Sequence, residues 1–308
     1  MSFGITVVIV TRNRPAKLKR CLESLSSQSY LPEKVLVIDN DIKSTSYSVA
    51  QNFKEKLNLE YYLEYASGVP HARNTALNKT KSRFLGFVDD DCILDEKWVE
   101  IAINTLKRVK GITYICGKTK LYNNNNILAL AQHTRDSYWY IKKLKNDKET
   151  TQEHFDTKNV VFDKEQILAK GIKFDENCRF GQFDSADFDF GIQLATNSLK
   201  GIYISSMKLM HEETNNLQRF IIRGYYRGKI AGYINEKWSF GDKLVDMSER
   251  NVLIWLLKTI KNFPLYFKIY TKNLNISIFR KILLICLIRS YEAAYLMGYI
   301  GYKKKAIA

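Results

Sequence analysis

Ile5-Thr-Val-Val-Ile-Val-Thr11 is a continuous β-branched apolar run, and Arg12-Asn-Arg-Pro15 follows it directly. Such a run suits a strand covered on both faces. Pro15 has no N–H to lose and a φ already near the helical value, so it opens a helix whose Leu18, Cys21, Leu22 and Leu25 fall on one stripe. No basic region precedes the run, which reads as a first buried strand and not as a secretory signal. The β-α unit then recurs, with strands expected at Val35–Asp39, Leu59–Tyr65, Phe84–Val88 and Ile112–Cys116. Helices are expected at Tyr47–Lys56, His71–Lys79 and Asp95–Val109. Alternation at this spacing predicts a doubly wound α/β fold on a mostly parallel sheet.

Beyond Lys118 the pattern loosens. Asn123–Asn126 reads as a turn and Lys142–Glu153 as a polar, mobile stretch. Asp163 is a candidate N-cap for a short helix closed by Gly171; Asp184 or Ser185 is one for a helix running to Leu199. From Leu217 the periodicity is helical to the end.

The chain has 308 residues, 45% of them apolar, with four Pro and fifteen Gly. That is enough to bury a large core and too apolar for a disordered polymer. Five scattered cysteines, with no C-x-x-C pair, argue for a reducing compartment and against a zinc site. The net charge of +16 is uneven: from Asn251 onward ten Lys/Arg face Glu292 alone, leaving +9 of the total in the last 58 residues. There the cations interrupt apolar and aromatic runs, a texture that favours a membrane surface over nucleic acid.

In open α/β sheets ligands bind beyond the carboxyl ends of the strands. Asp39 ends the second expected strand, and Asp89-Asp90-Asp91 follows the fourth. Three adjacent carboxylates call for a divalent cation or a cationic ligand if they are buried; otherwise they form a solvated turn capping the helix near Asp95. An EF-hand loop starting at Asp89 is excluded by Ile93 and Leu94 at its fifth and sixth positions. Neither G-x-x-x-x-G-K-[ST] nor G-x-G-x-x-G follows the first strand, which excludes a P-loop and a dinucleotide fingerprint.

Five motifs in order then carry a resemblance. They are Val7-Val-Ile-Val-Thr11-Arg-Asn-Arg14, Val35-Leu-Val-Ile-Asp39, Gly68-Val-Pro-His-Ala-Arg73-Asn74, Phe87-Val-Asp89-Asp90-Asp91, and Gly181 followed by Asp187-Phe-Asp189. Over residues 1–235 the chain resembles the family 2 glycosyltransferases, which implies a GT-A type, Rossmann-like catalytic domain there and leaves 236–308 as a helical C-terminal extension. The resemblance implies that Thr11, Asp39, Arg73, Asp89, Asp90 and Asn159 contact the nucleotide sugar. It places Mn²⁺ or Mg²⁺ on Asp91, with His211 as a metal or phosphate contact. Asp187 is the implied base, with Asp184 three residues earlier competing because Ala186 stands where an acid is usual; His71 has no assigned role. Asn40-Asp41 stands where relatives often read D-G-S, and Gln218-Arg219-Phe220 only partly matches the Q-x-x-R-W of processive synthases.

The implied activity is inverting transfer of a single sugar from a nucleotide-diphosphate donor to a surface-glycan or lipid-linked acceptor, at the cytoplasmic face of the membrane. The competing readings are a nucleotidyltransferase on the same aspartate-metal site and a basic nucleic-acid-binding module, for which no signature is present. Within Ile282–Tyr302, long enough to cross a bilayer, Arg289 and Glu292 disfavour a span. The C-terminal helices are therefore expected to lie on an anionic membrane surface, or to pack on the catalytic domain or on a second copy.

Overall fold

All seven residues of β1 (Ile5–Thr11) are buried, as an apolar run covered on both faces requires. The computed structural model describes residues 4–143, 151–152, 156–239, 252–272 and 274–307. They divide into two compact units, one formed by Met1–Lys120, Leu144–Asn177 and Ala186–His211, the other by Leu121–Lys143, Cys178–Ser185 and Glu212–Ala308.

The first unit is built on a mostly parallel sheet. Its strands in chain order are β1, β2 (Lys34–Asp39), β3 (Leu59–Leu63), β4 (Phe84–Asp89), β5 (Cys92–Leu94), β6 (Tyr114–Leu121), β7 (Thr151–Gln152), β8 (Asn159–Asp163) and, after a hairpin of the second unit, β11 (Gly201–His211). The spatial order is β3-β2-β1-β4-β8-β6-β11-β5, with β7 on β11. The pairs β3-β2, β2-β1 and β1-β4 are parallel; β8 enters antiparallel between β4 and β6. On one face α1 (Pro15–Ser26) buries Leu18, Cys21, Leu22 and Leu25, the stripe expected from the sequence. These side chains join β1, β2 and α4 (Trp98–Arg108) in one apolar cluster, and each fully buried Leu or Ile contributes about 1.5–3 kcal/mol. Elsewhere in the unit Phe87, Phe162, Phe174 and Phe190 pack in stacked, tilted and edge-to-face pairs with centroids 4.3–6.1 Å apart. Four aromatic rings in such contact give β4, β8 and α7 (Ala186–Thr196) a rigid common seat.

Several expected boundaries move. The helix from Tyr47 ends at Gln51 (α2), and the one expected at His71–Lys79 begins at Val69 (α3, Val69–Lys79). The acidic triplet does not cap a helix near Asp95. It leads into β5, and α4 starts only at Trp98. The last strand runs from Gly201 to His211, so His211 stands at its carboxyl end. Asp163 does cap α6 (Lys164–Leu168), accepting from the backbone N–H groups of Glu165 and Gln166. Most of the polar stretch Lys142–Glu153 lies outside the described residues.

The second unit holds α5 (Ile127–Lys143), the hairpin β9 (Arg179–Phe180) and β10 (Phe183–Asp184), α8 (Leu217–Lys237), α9 (Val252–Lys261), α10 (Phe263–Thr271) and α11 (Ile278–Ile307). Helices α8 and α11 approach through glycine. A Cβ on Gly228 would lie 1.9 Å from Tyr295 O, and one on Gly298 would lie 1.8 Å from Tyr225 O. No other residue allows the two backbones this close. Inside the unit Arg289 donates to Thr259, pairs with Glu292 and stacks on Trp255 and Tyr266, tying α9, α10 and α11 together.

Candidate active site

The parallel register sets the site. Thr11 lies opposite Asp39, and Val10 opposite Asp89, so the carboxyl ends of three adjacent strands carry Thr11, Asp39 and Asp89. After the Asp90-Asp91 turn, β5 runs antiparallel to β11 with Cys92 opposite His211. That register brings His211 Nε2 to 3.1 Å from Asp91 Oδ1 and 4.0 Å from Asp89 Oδ2. One ligand atom from each of Asp89, Asp91 and His211 lies within 4.8 Å of the other two.

Asp90 points the other way. It is fully buried and accepts from Thr11 Oγ1 at 2.7 Å, while Arg14 Nη2 pairs with its Oδ1 at 2.8 Å. Burial and the charge of Asp91 push its carboxyl up to about 7, against Arg14 and the Thr11 hydroxyl. Arg14 also reaches Asp91 Oδ2 at 2.9 Å, and Lys17 stands 3.5 Å from the same oxygen. Burial would raise Asp91, but His211, Arg14 and Lys17 outweigh it and hold the carboxyl well below the ordinary range. Asp91 is thus a carboxylate at any physiological pH. On α3, Arg73 is buried with Nη2 3.7 Å from Asp89 Oδ1 and its guanidinium 5.5 Å over the Phe174 ring.

Asp39 is buried and accepts from Tyr61 Oη at 2.7 Å and Asp41 N at 2.9 Å; burial pushes its carboxyl up against these two donors. The unusual Asn40 has a structural task. Its amide donates to Glu64 O and Ala66 O and accepts from Gly68 N, fixing the loop that enters α3. Gly68 holds φ +127 there, a value that favours glycine.

Asn159, expected at the sugar, is buried: its Oδ1 accepts from Trp98 Nε1 at 2.7 Å, and its Nδ2 faces Met207 O at 3.5 Å. It joins β8 to α4 and β11. Asp187 stands half-buried in the first turn of α7, its Oδ1 accepting from Phe188 N, whereas Asp189 is buried and accepts from Gln193. Asp184 belongs to the hairpin of the second unit, opposite Arg179. The unassigned His71 pairs with Glu176 at 3.3 Å, beside Asn74, which bonds Phe174 and Glu176.

Two pairs escaped the sequence reading. Arg14 and Lys17 follow the first strand at its carboxyl end, a signal already present in Arg12-Asn-Arg14. Asp156 is ion-paired with Lys158, and its charge acts on both Asp89 and His211. It directly follows a run of residues with no periodicity, and nothing in the pattern singled it out.

Two carboxylates and an imidazole converging at this spacing form a donor set that could hold a metal ion. Fold and site together define an α/β scaffold of GT-A type with a carboxylate–imidazole group at the ends of its strands. Residues 6–166 match glycosyl transferase family 2, and the chain belongs to that family. It is 29% identical over 130 residues to glycosyltransferase AglE of Haloferax volcanii, covering 41% of this chain and 42% of AglE. Identity is 28% over 125 residues to WfgD of Escherichia coli, a UDP-Glc:alpha-D-GlcNAc-diphosphoundecaprenol beta-1,3-glucosyltransferase, covering 40% and 49%. The matched stretch is thus less than half of either relative. A mannosyltransferase from Pyrobaculum calidifontis, solved with GDP-Man and Mn²⁺, shares the fold at a TM-score of 0.64 and 13% identity, over 96% of this chain and 86% of that one.

Proposed function

We propose that the chain transfers one sugar, with inversion, from a nucleotide-diphosphate sugar to a hydroxyl of a surface-glycan or lipid-linked acceptor, at the cytoplasmic face of the membrane. The observation that carries this reading is the Asp89–Asp91–His211 group at the carboxyl ends of the sheet in a chain of this family. Relatives named for lipid-linked acceptors support the acceptor class.

In this reading Asp89, Asp91 and His211 hold Mn²⁺ or Mg²⁺, which when bound offsets the charge of the diphosphate. Arg73 stands beside Asp89 and stabilises charge growing on the leaving diphosphate. Asp90 positions: it anchors Thr11 and Arg14 and so fixes the turn between the two metal carboxylates. Asp39 faces the nucleoside. Asp187 takes the proton of the acceptor hydroxyl as its oxygen bonds to the anomeric carbon and the bond to the diphosphate oxygen breaks. The products are the inverted glycoside and the nucleoside diphosphate. One displacement needs no enzyme nucleophile.

The test is a screen of nucleotide sugars by thermal shift with Mn²⁺, followed by transfer assays on the donor found. A donor at 100 times its Kd stabilises by about 2.7 kcal/mol. Asp91→Ala and His211→Ala are expected to abolish the Mn²⁺-dependent part of that shift. Retention of the full shift in both variants would refute the metal assignment.

A further inference from the structure

The second unit carries a surface that sugar transfer does not require. Ten of the nineteen large hydrophobic side chains exposed among the described residues fall between Ile254 and Met297. On α11 they form one stripe, Phe279, Ile282, Leu283 and Met297 standing 38–73% exposed at helical spacing. On α9, Ile254, Leu257 and Ile260 are 44–72% exposed, on the side opposite the buried Trp255. Isolated surface hydrophobics need no explanation; a concentration of this kind marks an interaction surface.

We infer that these outer faces of α9 and α11 dock on an anionic lipid surface. Charge selects the occupant. Lys258, Lys261, Lys268, Lys272, Arg280 and Lys281 accompany the apolar residues, and the one acid after Asn251 is Glu292, already neutralised by Arg289 inside the unit. Apolar side chains sink to the acyl boundary while flanking cations meet lipid phosphates, each adding attraction that falls off within a Debye length.

Helix α11 is long and apolar enough to cross a bilayer by composition, but its packing argues against a crossing. It lies against α8 at the glycine contacts, and α8 carries Arg219, Arg223, Arg227, Lys229, Glu236 and Lys237. A spanning α11 would take its partner's charges into hydrocarbon. The stripe therefore lies flat on the lipid instead of passing through it.

The full chain should sediment with vesicles in which phosphatidylglycerol replaces about a third of the phosphatidylcholine, at least tenfold more than with phosphatidylcholine alone, and less at high salt. Leu257→Glu/Ile260→Glu/Phe279→Glu, all exposed positions, should lose that binding at least tenfold with unchanged far-UV circular dichroism and melting. Lys261→Glu/Lys268→Glu should weaken it and flatten its salt dependence. Vesicle capture needs no donor or acceptor, so this result is independent of the catalytic reading. Equal sedimentation with both vesicle types, or full binding by the triple variant, would overturn the proposal. So would a dimer that the triple variant makes monomeric while vesicles capture neither form, which assigns the face to a second copy.

Discussion

Replacing Asn159 by alanine removes the Oδ1 that accepts Trp98 Nε1 at 2.7 Å in a place where both residues are buried. The indole N–H then has no partner within reach, and a buried donor left unsatisfied costs about 1–3 kcal/mol. The weaker contact from Nδ2 to Met207 O, at 3.5 Å, is lost too, and the vacated space adds a cavity term of about 1 kcal/mol. The expected cost is about 3 kcal/mol, a fall in melting temperature of about 6–12 °C for a unit of this size. Chemical denaturation of Asn159→Ala, Trp98→Phe and the double variant forms the decisive cycle. If the hydrogen bond is the cause, the second substitution costs about 1–2 kcal/mol less in the background of the first. The KM for the donor should stay within about threefold, because the amide is committed to the indole. Additive effects, or unchanged stability together with a large rise in KM, would refute the argument and return Asn159 to the sugar site.

Three further outcomes follow from the same contacts. Asp187→Asn should lower the transfer rate by at least about a hundredfold while the donor still gives its thermal shift, and Asp184→Asn should transfer normally; the reverse pattern assigns the base to Asp184. Gly228→Ala places a Cβ 1.9 Å from a carbonyl of α11 and should cost about 3 kcal/mol by calorimetry, whereas Gly301→Ala, whose nearest contact is 3.7 Å away, should cost nothing. Burial pushes Asp163 up, but Arg83 and Gln166 outweigh it and hold its carboxyl below the ordinary value. Its contribution is thus present above about pH 4 and disappears as pH falls through the depressed value. Asp163→Asn should cost about 1 kcal/mol at pH 7 and lose that deficit in acid, read from urea midpoints across pH.

The amino-acid sequence alone determined what local chemistry determines. The apolar runs at Ile5–Thr11, Val35–Asp39 and Phe84–Val88 are strands because nothing but a two-sided core suits them, and the stripe of α1 follows from its spacing. Asp39 and the triplet Asp89-Asp90-Asp91 were legible because polar residues at the carboxyl end of a buried strand stand out against their neighbours. Only the tertiary structure decided how the triplet divides its work. Side chains in a turn take their directions from the partners they meet, so Asp90 turns inward to Thr11 and Arg14 while Asp89 and Asp91 face His211. That meeting depends on the register of β5 with β11, two strands far apart in the chain, and a one-residue slip would turn His211 to the other face. Asn159 shows the same limit. Its residue type suits a sugar as well as an indole, and only the packing of α4 against β8 puts Trp98 within its reach.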